Sequence, residues 1–324
     1  MLKNHSTITQ MNTKRFVSIF FLFLLTLTLT PDVSAQKALL RLTLNQDQVF
    51  SYVSTVDQVI TQDIMGMNQV IKQKIALYYD LTVKDVSDET YTLDYTYTRV
   101  TLNMDGGAML GVTEYDSDQD KEDTPPMAVG YAGMVGQAFT FTTNRRGEIQ
   151  DVQGIDKLLD RMIEGMDDIS EAEREAMKAA FRNQFGEEAT KSNIQGSLPV
   201  FPEKKVKSGK SWDQVTIIAA GFQMNQTTTY TVESIAEDQV KLSASISQGS
   251  DPESTMETNG MTMAYEVTGQ GTGESIIDMS SGMVSLSTST YEISGEVTAS
   301  GAMMGNGMTW PISISQTSVL EMTK

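Results

Sequence analysis

Three aspartates at alternate positions form the most metal-like pattern in the chain. The stretch YDSDQDKED places Asp116, Asp118 and Asp120 two residues apart. A calcium loop of the helix–loop–helix type takes oxygen ligands at positions 1, 3, 5 and 12 and has glycine at position 6. Here Lys121 stands at the glycine position and Met127 at position 12. We therefore expect a mobile acidic connection and no cofactor, with a Ca²⁺ site as the weaker alternative.

Methionine is the second residue type that could carry chemistry. The chain has 21 methionines, many of them beside glycine, as in the stretch GAMMGNGMTW. Met303, Met304 and Met308 form the best local cluster, and thioether sulfur can bind Cu(I). Methionine is also an adaptable apolar filler, and glycine-rich neighbours do not fix a metal geometry. We expect core packing or an adaptable hydrophobic ligand cavity in preference to copper.

An alternating aromatic stretch offers a further candidate site. In TYTLDYTYTRVTLNM, at 90–104, Tyr91, Tyr95 and Tyr97 fall on the same strand face as Leu93. One interpretation is a core face opposite a solvated face. The other is an aromatic wall that lines a ligand pocket together with the methionines.

The missing residue types exclude whole classes of mechanism. His5 is the only histidine, and the chain has no cysteine. Nucleophilic systems that need histidine and zinc sites built on imidazole or thiolate are therefore excluded for the chain beyond its N-terminal segment. Two carboxylates suffice to hydrolyse a glycoside, but among 42 acidic residues no pair is marked. We expect a protein that is not an enzyme, with a carboxylate-based glycan hydrolase as an alternative.

The N-terminal segment predicts export. Basic residues precede an apolar run at 16–29, FVSIFFLFLLTLTL, and small residues follow, ending at Ala35. This order is typical of a secretory signal peptide, here cleaved after Ala35. No later stretch is long and apolar enough to span a bilayer. The mature protein is expected in the periplasm or outside the cell.

The charge balance narrows the range of partners. The chain has a formal net charge of −18. Binding to nucleic acid or to an anionic lipid surface depends on Lys and Arg, so neither is expected. The expected partner is a hydrophobic small molecule or another envelope protein. A structural or protein-interaction module without a ligand remains an alternative.

The elements that would position these residues are mostly strands. Residues 90–104, 228–235 and 239–247 alternate with period two, which is typical of antiparallel strands. Apolar residues from Ile155 follow helical spacing, and Ser170 opens a second helix through a capping box. The predicted organisation is a signal peptide at 1–35, a first β unit at 36–153, a helical insert at 154–190, a linker at 191–211 and a second β unit at 212–324.

Two stretches recur between the flanks of the helical insert. LTVKDVSDETYTLDY, at 81–95, aligns without gaps on YTVESIAEDQVKLSA, at 230–244. FTFTTNRRGEI matches GESIIDMSSGMV, with Gly147 over Gly282. We therefore predict an α+β fold, mostly antiparallel β, in which two related β units, as curved sheets or half-barrels, share a central helical hairpin.

The region after the helices carries a family resemblance. Together with FTFTTNRRGEIQDVQGIDKLL, the stretch LPVFPEKKVKSGKSW resembles a family of secreted bacterial proteins without an assigned function. Its ending is Gly-x-Ser-Trp, here Gly209, Lys210, Ser211 and Trp212. The resemblance implies the order signal peptide, β half, helical insert, proline-containing linker and second β half, and it brings no catalytic residues. More distantly, the predicted fold looks like the periplasmic carriers of lipoproteins.

Overall fold

The computed structural model describes the chain from residue 36 onward almost completely. It covers residues 36–324 apart from 120–123, 165–169, 220–221, 252–253, 259–260 and 302–306. The predicted signal peptide lies outside the described residues. Lys37–Lys324 forms one compact unit.

Strands dominate this unit. The described residues contain fifteen of them: β1 Lys37–Ala38, β2 Val49–Ile64, β3 Met67–Val86, β4 Thr90–Asp105, β5 Val112–Asp116, β6 Ala138–Asn144, β7 Ile149–Gln153, β8 Val206–Lys207, β9 Ser211–Ala219, β10 Gln223–Ile235, β11 Gln239–Ser250, β12 Thr255–Thr258, β13 Met261–Asp278, β14 Val284–Ser300 and β15 Met308–Met322. Alternating Thr, Tyr, Val and Ile in these segments suit a pleated, half-buried surface.

Helices are concentrated between β7 and β8. The described helices are α1 Gly107–Leu110, α2 Val129–Met134, α3 Ile155–Glu164, α4 Glu171–Phe185 and α5 Glu187–Ser197, with a 3₁₀ turn at Pro126–Ala128. None of them is of a length and hydropathy that would let it cross a membrane.

Strands from both halves of the chain form one antiparallel sheet. Its order is β7-β6-β4-β3-β2-β15-β14-β13-β11-β10-β9, with β5 beside β4 and β12 beside β13. The halves join where β2 pairs with β15. Within the described residues β7 and β9 end the sheet, so it is not closed on itself. The predicted mostly antiparallel α+β class is confirmed.

The strand order repeats from one half to the other. On one side of β15 the order is β7-β6-β4-β3-β2, and on the other it is β14-β13-β11-β10-β9. In both series the strand numbers decrease in the same direction across the sheet. Along the chain, the short strand β5 follows the third strand of the first unit, and β12 follows the third strand of the second. The aligned stretches 81–95 and 230–244 are the β3–β4 and β10–β11 hairpins. The topology therefore supports two related β units.

Backbone irregularities recur at equivalent positions of the two units. The β3–β4 pairing shifts at Lys84, and the β10–β11 pairing shifts at Glu233, which is its partner in the alignment. Gly147 and Gly282 both have positive φ, 82° and 74°, in the turns after β6 and β13. A β-bulge kept at the same place in both hairpins is a feature of the fold and not a local accident.

An extended segment precedes each unit and docks on the other one. The amide of Thr43 donates to the Ser281 carbonyl at 2.8 Å, and the amide of Phe201 donates to the Arg146 carbonyl at 2.8 Å. Ser281 and Arg146 precede the equivalent glycines. Alternate side chains of 38–44 are buried in the main core. These reciprocal contacts connect the two units.

The helical insert is longer than the sequence predicts. The apolar stripe of α3 is buried, and Ser170 caps α4 through a capping box with Glu173, as expected. Gly186 ends α4 but also begins α5, which extends seven residues into the predicted linker. Gln195 of α5 accepts a hydrogen bond from the Ile149 amide at 2.7 Å. Contacts of this kind with the sheet hold the polar helix α5 in place. A local sequence pattern does not reveal them.

Candidate ligand cavity

A cavity of about 570 Å³ lies between the concave face of the sheet and the helices. Strands β2, β3, β4 and β6 of the first unit line it, as do β9, β10, β11, β13 and β14 of the second, together with β15. Helices α2, α4 and α5 supply the remaining wall. Small-molecule sites in proteins usually measure about 300 to 1,000 Å³. The cavity is therefore of a size to hold a small organic ligand.

Four rings of the first unit form the aromatic wall of the cavity: Tyr79, Tyr95, Tyr97 and Phe139. Tyr95 is central. Its ring stacks on Tyr79 with centroids 4.0 Å apart and on Phe139 with centroids 4.8 Å apart, and Tyr97 tilts against it at 4.9 Å. Stacked and tilted ring pairs at these distances are favourable beyond the area they bury. The wall is thus a preformed apolar surface.

The phenol groups of the aromatic wall stay neutral over a wide pH range. Burial raises the pKa of Tyr79, Tyr95 and Tyr97 well above the ordinary phenol value, because a phenolate would lose its hydration there. Tyr95 also hydrogen-bonds with the other two hydroxyls. Tyr95 is only partly buried, and it lines the cavity. The wall therefore adds polarity at its hydroxyls but no charge.

The second unit leaves space where the first has rings. In the repeat alignment, extended along the same strands, Thr228 takes the place of Tyr79 and Ala244 takes the place of Tyr95. Gly273, on the next strand, has no side chain, and a Cβ built there would lie 3.6 Å from the Ala244 Cβ. All three positions line the cavity. Replacement of large rings by small residues thus explains where the volume comes from.

An amide pair, Gln226 and Gln248, lies on the second-unit side of the cavity. The two residues are directly opposite in the β10–β11 register. Gln248 Nε2 donates to Gln226 Oε1 at 2.6 Å, and Gln226 Nε2 donates to Thr228 Oγ1 at 3.2 Å. Gln226 is 3% exposed. Gln248 Oε1 is buried and accepts no hydrogen bond within the described part of the chain.

The residue types of the amide pair do not predict a site. Glutamine on an alternating strand usually faces water, so the residue type alone does not indicate a position that lines a cavity. The repeat does give one, because the alignment places Gln226 at the position of Leu77, and both line the cavity.

No charged residue lines the described part of the cavity wall. Its polar members are serine, threonine, asparagine, glutamine and tyrosine side chains. This contrasts with the whole chain, whose net charge is −18. The interior offers hydrogen bonds but no counter-ion.

The predicted tyrosines divide between the cavity and the core. Tyr95 and Tyr97 line the cavity, whereas Tyr91, on the same face, does not. Tyr91 is 1% exposed, and its hydroxyl donates to the Leu42 carbonyl at 3.1 Å. The Arg145 guanidinium lies 5.4 Å from its ring centroid. Tyr91 therefore anchors the leading segment of the chain and is not part of the cavity lining.

Of the predicted methionines, Met308 is the one that the structure describes, and it is not part of the lining. Met303 and Met304 lie outside the described residues. Met308 packs with Trp310 in a separate apolar cluster at the start of β15, away from the cavity. Met65 is 80% exposed at the turn between β2 and β3. Tyrosine is thus the main large side chain of the lining, and the described methionines that contribute are Met134 and Met224.

The first carboxylate of the acidic stretch, that of Asp116, forms an ion pair with an arginine of the same chain. Arg99 donates to both oxygens of Asp116, from Nε at 2.9 Å and from Nη2 at 2.6 Å, which lowers the pKa of Asp116. Asp118 lies 3.5 Å from the same guanidinium. Asp120 is outside the described residues. In the described part of the chain, no group of three or more His, Cys, Asp or Glu side chains is arranged to hold a metal.

A second concavity, of about 700 Å³, lies beside α3, α4 and α5 and is lined by charged side chains. Arg182 contacts Asp156 across it at 2.8 Å and lowers the pKa of that carboxyl. A glycosidase needs one carboxyl with a raised pKa as its general acid. Asp156 is shifted in the opposite direction, so this groove is the weaker candidate site.

Sequence comparison connects the chain to one family. The model of a family of unknown function (DUF6263) matches residues 88–284, which is more than half of the chain. The matched region contains the helices, the proline-containing linker and the Gly-x-Ser-Trp ending. Among curated proteins, none matches the chain at a significant level.

Solved structures show distant likenesses only. A structure of lipovitellin, described for its lipid–protein interactions, matches with a TM-score of 0.44 at 9% identity, over 87% of this chain and 26% of lipovitellin. The chain thus spans about a quarter of that protein. An outer membrane channel from Pseudomonas putida F1 matches over 87% and 97% of the two chains at 6% identity, with a TM-score of 0.24. OpdQ from Pseudomonas aeruginosa matches over 85% and 98% at 7% identity, with a TM-score of 0.22.

Proposed function

Because the chain belongs to the DUF6263 family of unknown function, we propose a function from its own geometry: it is a non-enzymatic envelope protein that holds a hydrophobic small molecule in the cavity. The observation that carries this proposal is the pairing of a rigid aromatic wall with small residues at the equivalent positions of the second unit. Close packing normally fills a protein interior. A fold that leaves this space facing stacked rings is suited to a guest.

The size of the cavity supports a ligand over a filled core. One water molecule occupies about 30 Å³ in the liquid. At about 570 Å³ the cavity exceeds the space for a few ordered waters by far. The volume falls within the range of small-molecule sites in proteins, which supports a ligand here.

The ionisable groups support a role without catalysis. Asp116, Asp156, Glu173 and Asp278 are the described acids whose pKa is displaced, and in each the displacement is downward. A carboxyl that acts as a general acid at neutral pH needs the opposite displacement. The cavity itself has no carboxylate among its described lining residues. Binding is therefore the activity that this interior supports.

A location in the envelope or outside the cell is part of the proposal. It rests on the charged, apolar and small-residue order of residues 1–35. A hydrophobic molecule in an aqueous envelope space needs a protein interior to shield it, which agrees with the cavity.

Uptake of N-phenyl-1-naphthylamine, an uncharged fluorescent probe, tests the proposal. We compare the wild type with Ala244→Trp, which places a large ring in the cavity over Gly273, where no side chain opposes it. The control is Ala138→Trp, on an exposed position of β6 next to Phe139 of the aromatic wall. Circular dichroism checks that all three proteins are folded.

We expect saturable uptake by the wild type and by Ala138→Trp, and at least tenfold weaker uptake by Ala244→Trp, since about 1.4 kcal/mol of lost contact suffices for that factor. Equal uptake by all three proteins would place the probe elsewhere and refute the assignment of the cavity. A wild type that takes up no probe would favour the structural or interaction module instead.

A further inference from the structure

We propose that the turn between β2 and β3 inserts into a lipid surface. The contact is made by the methionine tip, which we define as Met65, Gly66 and Met67. This inference goes beyond the proposed function, because it assigns an interaction surface and the kind of partner that this surface fits.

The methionine tip presents apolar side chains to water at the end of a protruding hairpin. Ile64 and Met67 are the last paired residues of β2 and β3, so Met65 and Gly66 form a two-residue turn. Met65 is 80% exposed and Met67 is 59% exposed. A Cβ built on Gly66 would meet no atom within 4 Å. The described chain therefore leaves both methionines uncovered.

The backbone of the turn makes a methionine at its first position costly. Met65 has φ of 57° and Gly66 has φ of 82°, which is the type I′ pattern of two-residue hairpins. Asparagine, aspartate and glycine favour that first position, because they tolerate positive φ. The Gly66 amide donates to Asp63 Oδ1 at 2.8 Å, which closes the turn without using the Met65 side chain. A residue that breaks a local rule without a gain for the fold indicates a functional position.

The shape of the methionine tip fits a lipid surface better than a protein partner. A specific protein interface takes about 20 to 30 residues and about 800 Å² from each partner. Two side chains on a convex turn supply a small part of that area. A lipid surface has no fixed shape to match, and binding to it grows with the apolar area inserted. Methionine is flexible and adapts to such a surface.

Polar residues directly below the methionine tip limit the depth of insertion. Asp63 and Asn68 are opposite one another in the register, and Gln62 and Gln69 follow, joined by a hydrogen bond of 2.8 Å. Moving the carboxylate and the amides into hydrocarbon would be unfavourable. They therefore stay at the level of the lipid headgroups, and the methionines alone insert.

Charge selects the class of lipid. An anionic lipid surface attracts proteins through Lys and Arg. Residues 60–71 contain neither, and the whole chain has a net charge of −18. The matching surface is zwitterionic. Because the contact is apolar, salt should weaken it little.

A row of isoleucines extends the cavity toward the methionine tip. Ile293 lines the cavity, and Ile314 is directly opposite it on β15. Ile60 is opposite Ile314, and Ile71 is opposite Ile60. Directly opposite residues face the same side of a sheet, so all four lie on the concave face. Insertion of the tip brings this face to the lipid surface, which is a source of the hydrophobic guest if the proposed function holds.

Flotation with phosphatidylcholine vesicles tests the inference. We compare the wild type with the double variant Met65→Asn, Met67→Thr and with the control Val215→Thr, which changes a 72% exposed side chain on β9. Asparagine suits the positive φ, so the double variant should unfold at a urea concentration no lower than the wild type. We expect the wild type and Val215→Thr to float equally at low and high salt. The double variant should bind at least tenfold more weakly, because it loses both inserted apolar side chains.

A fluorescent label tests the orientation of the bound protein. The chain has no cysteine, so Met65→Cys provides a single attachment point for an environment-sensitive nitrobenzoxadiazole group. Its emission should shift to the blue and intensify when phosphatidylcholine vesicles are added. The same label on Val215→Cys should not respond.

The outcomes separate this inference from the proposed function. A wild type that does not float, a double variant that floats equally, or equal responses from the two labels would overturn it. Lipid-free dimers of the wild type that the double variant does not form would assign the methionine tip to a second copy instead. Uptake of N-phenyl-1-naphthylamine in lipid-free solution should be the same in both proteins. Uptake without flotation therefore refutes this inference alone, and flotation without uptake refutes the proposed function alone.

Discussion

Alkaline pH should unfold this protein cooperatively, because its interior is rich in neutral phenols. The pKa is raised by burial in five tyrosines of the main core and the aromatic wall: Tyr52, Tyr79, Tyr95, Tyr97 and Tyr230. In the unfolded chain the same groups ionise near their ordinary value of about 10. The unfolded state therefore releases protons that the folded state retains.

The sign and size of the effect follow from proton linkage. A phenol whose folded pKa is raised contributes its full stability below the unfolded pKa and loses it as the pH climbs toward the folded pKa. Between about pH 10 and pH 11, each such tyrosine costs roughly 1 kcal/mol of folding free energy. Five together cost roughly 5 kcal/mol, which is comparable with the whole stability of a typical domain, about 5 to 15 kcal/mol.

A pH titration with two signals measures this prediction. Tyrosinate absorbance should lag behind that of the urea-unfolded chain and then rise together with the loss of β-sheet circular dichroism. Independent titration of all eleven tyrosines near the ordinary value, with the sheet intact, would refute the reasoning, because the phenols would then be in contact with water.

Two further predictions concern the turn glycines and export. Gly282→Ala should lower the free energy of unfolding by more than about 2 kcal/mol in urea titrations, because φ is 74° and the new Cβ would meet the Arg41 carbonyl oxygen at 2.0 Å. Gly66→Ala, with φ of 82° and no atom within 4 Å, should cost only about 1 to 2 kcal/mol, and equal costs would argue against the docking of the leading segment. Expression of the full chain in a bacterium should give a mature protein that begins at Gln36, and intact mass showing an uncut N-terminus would contradict cleavage after Ala35.

The fold class and the repeat could be predicted because both are local patterns. Alternation of side chains in 90–104, 228–235 and 239–247 reports one buried face, and that requires only neighbours in sequence. The aligned stretches at 81–95 and 230–244 extended to a common strand order and to a bulge at the same position. Pairing of β2 with β15 joins the two ends of the chain, and no local pattern encodes that contact.

The cavity could be predicted only in part. Tyr95 and Tyr97 were marked by their alternation, and they do line it. Ala244 and the amide pair carry no signal of their own, because small and amide side chains are common on solvent-facing strands. Gln226 and Ala244 become informative only beside Leu77 and Tyr95, the residues that they replace in the repeat. The methionine count did not single out Met134 and Met224, which line the cavity, since composition reports how many residues of a type exist and not which way they point.

A crystal structure with 12-bromododecanol tests the central claim most directly, because bromine marks the end of the chain by anomalous scattering. The account predicts a single bromine site inside the cavity, between the ring of Tyr95 and Ala244. A bromine site in the charged groove at Asp156 and Arg182, or an interior without ligand density at saturating concentration, would contradict it.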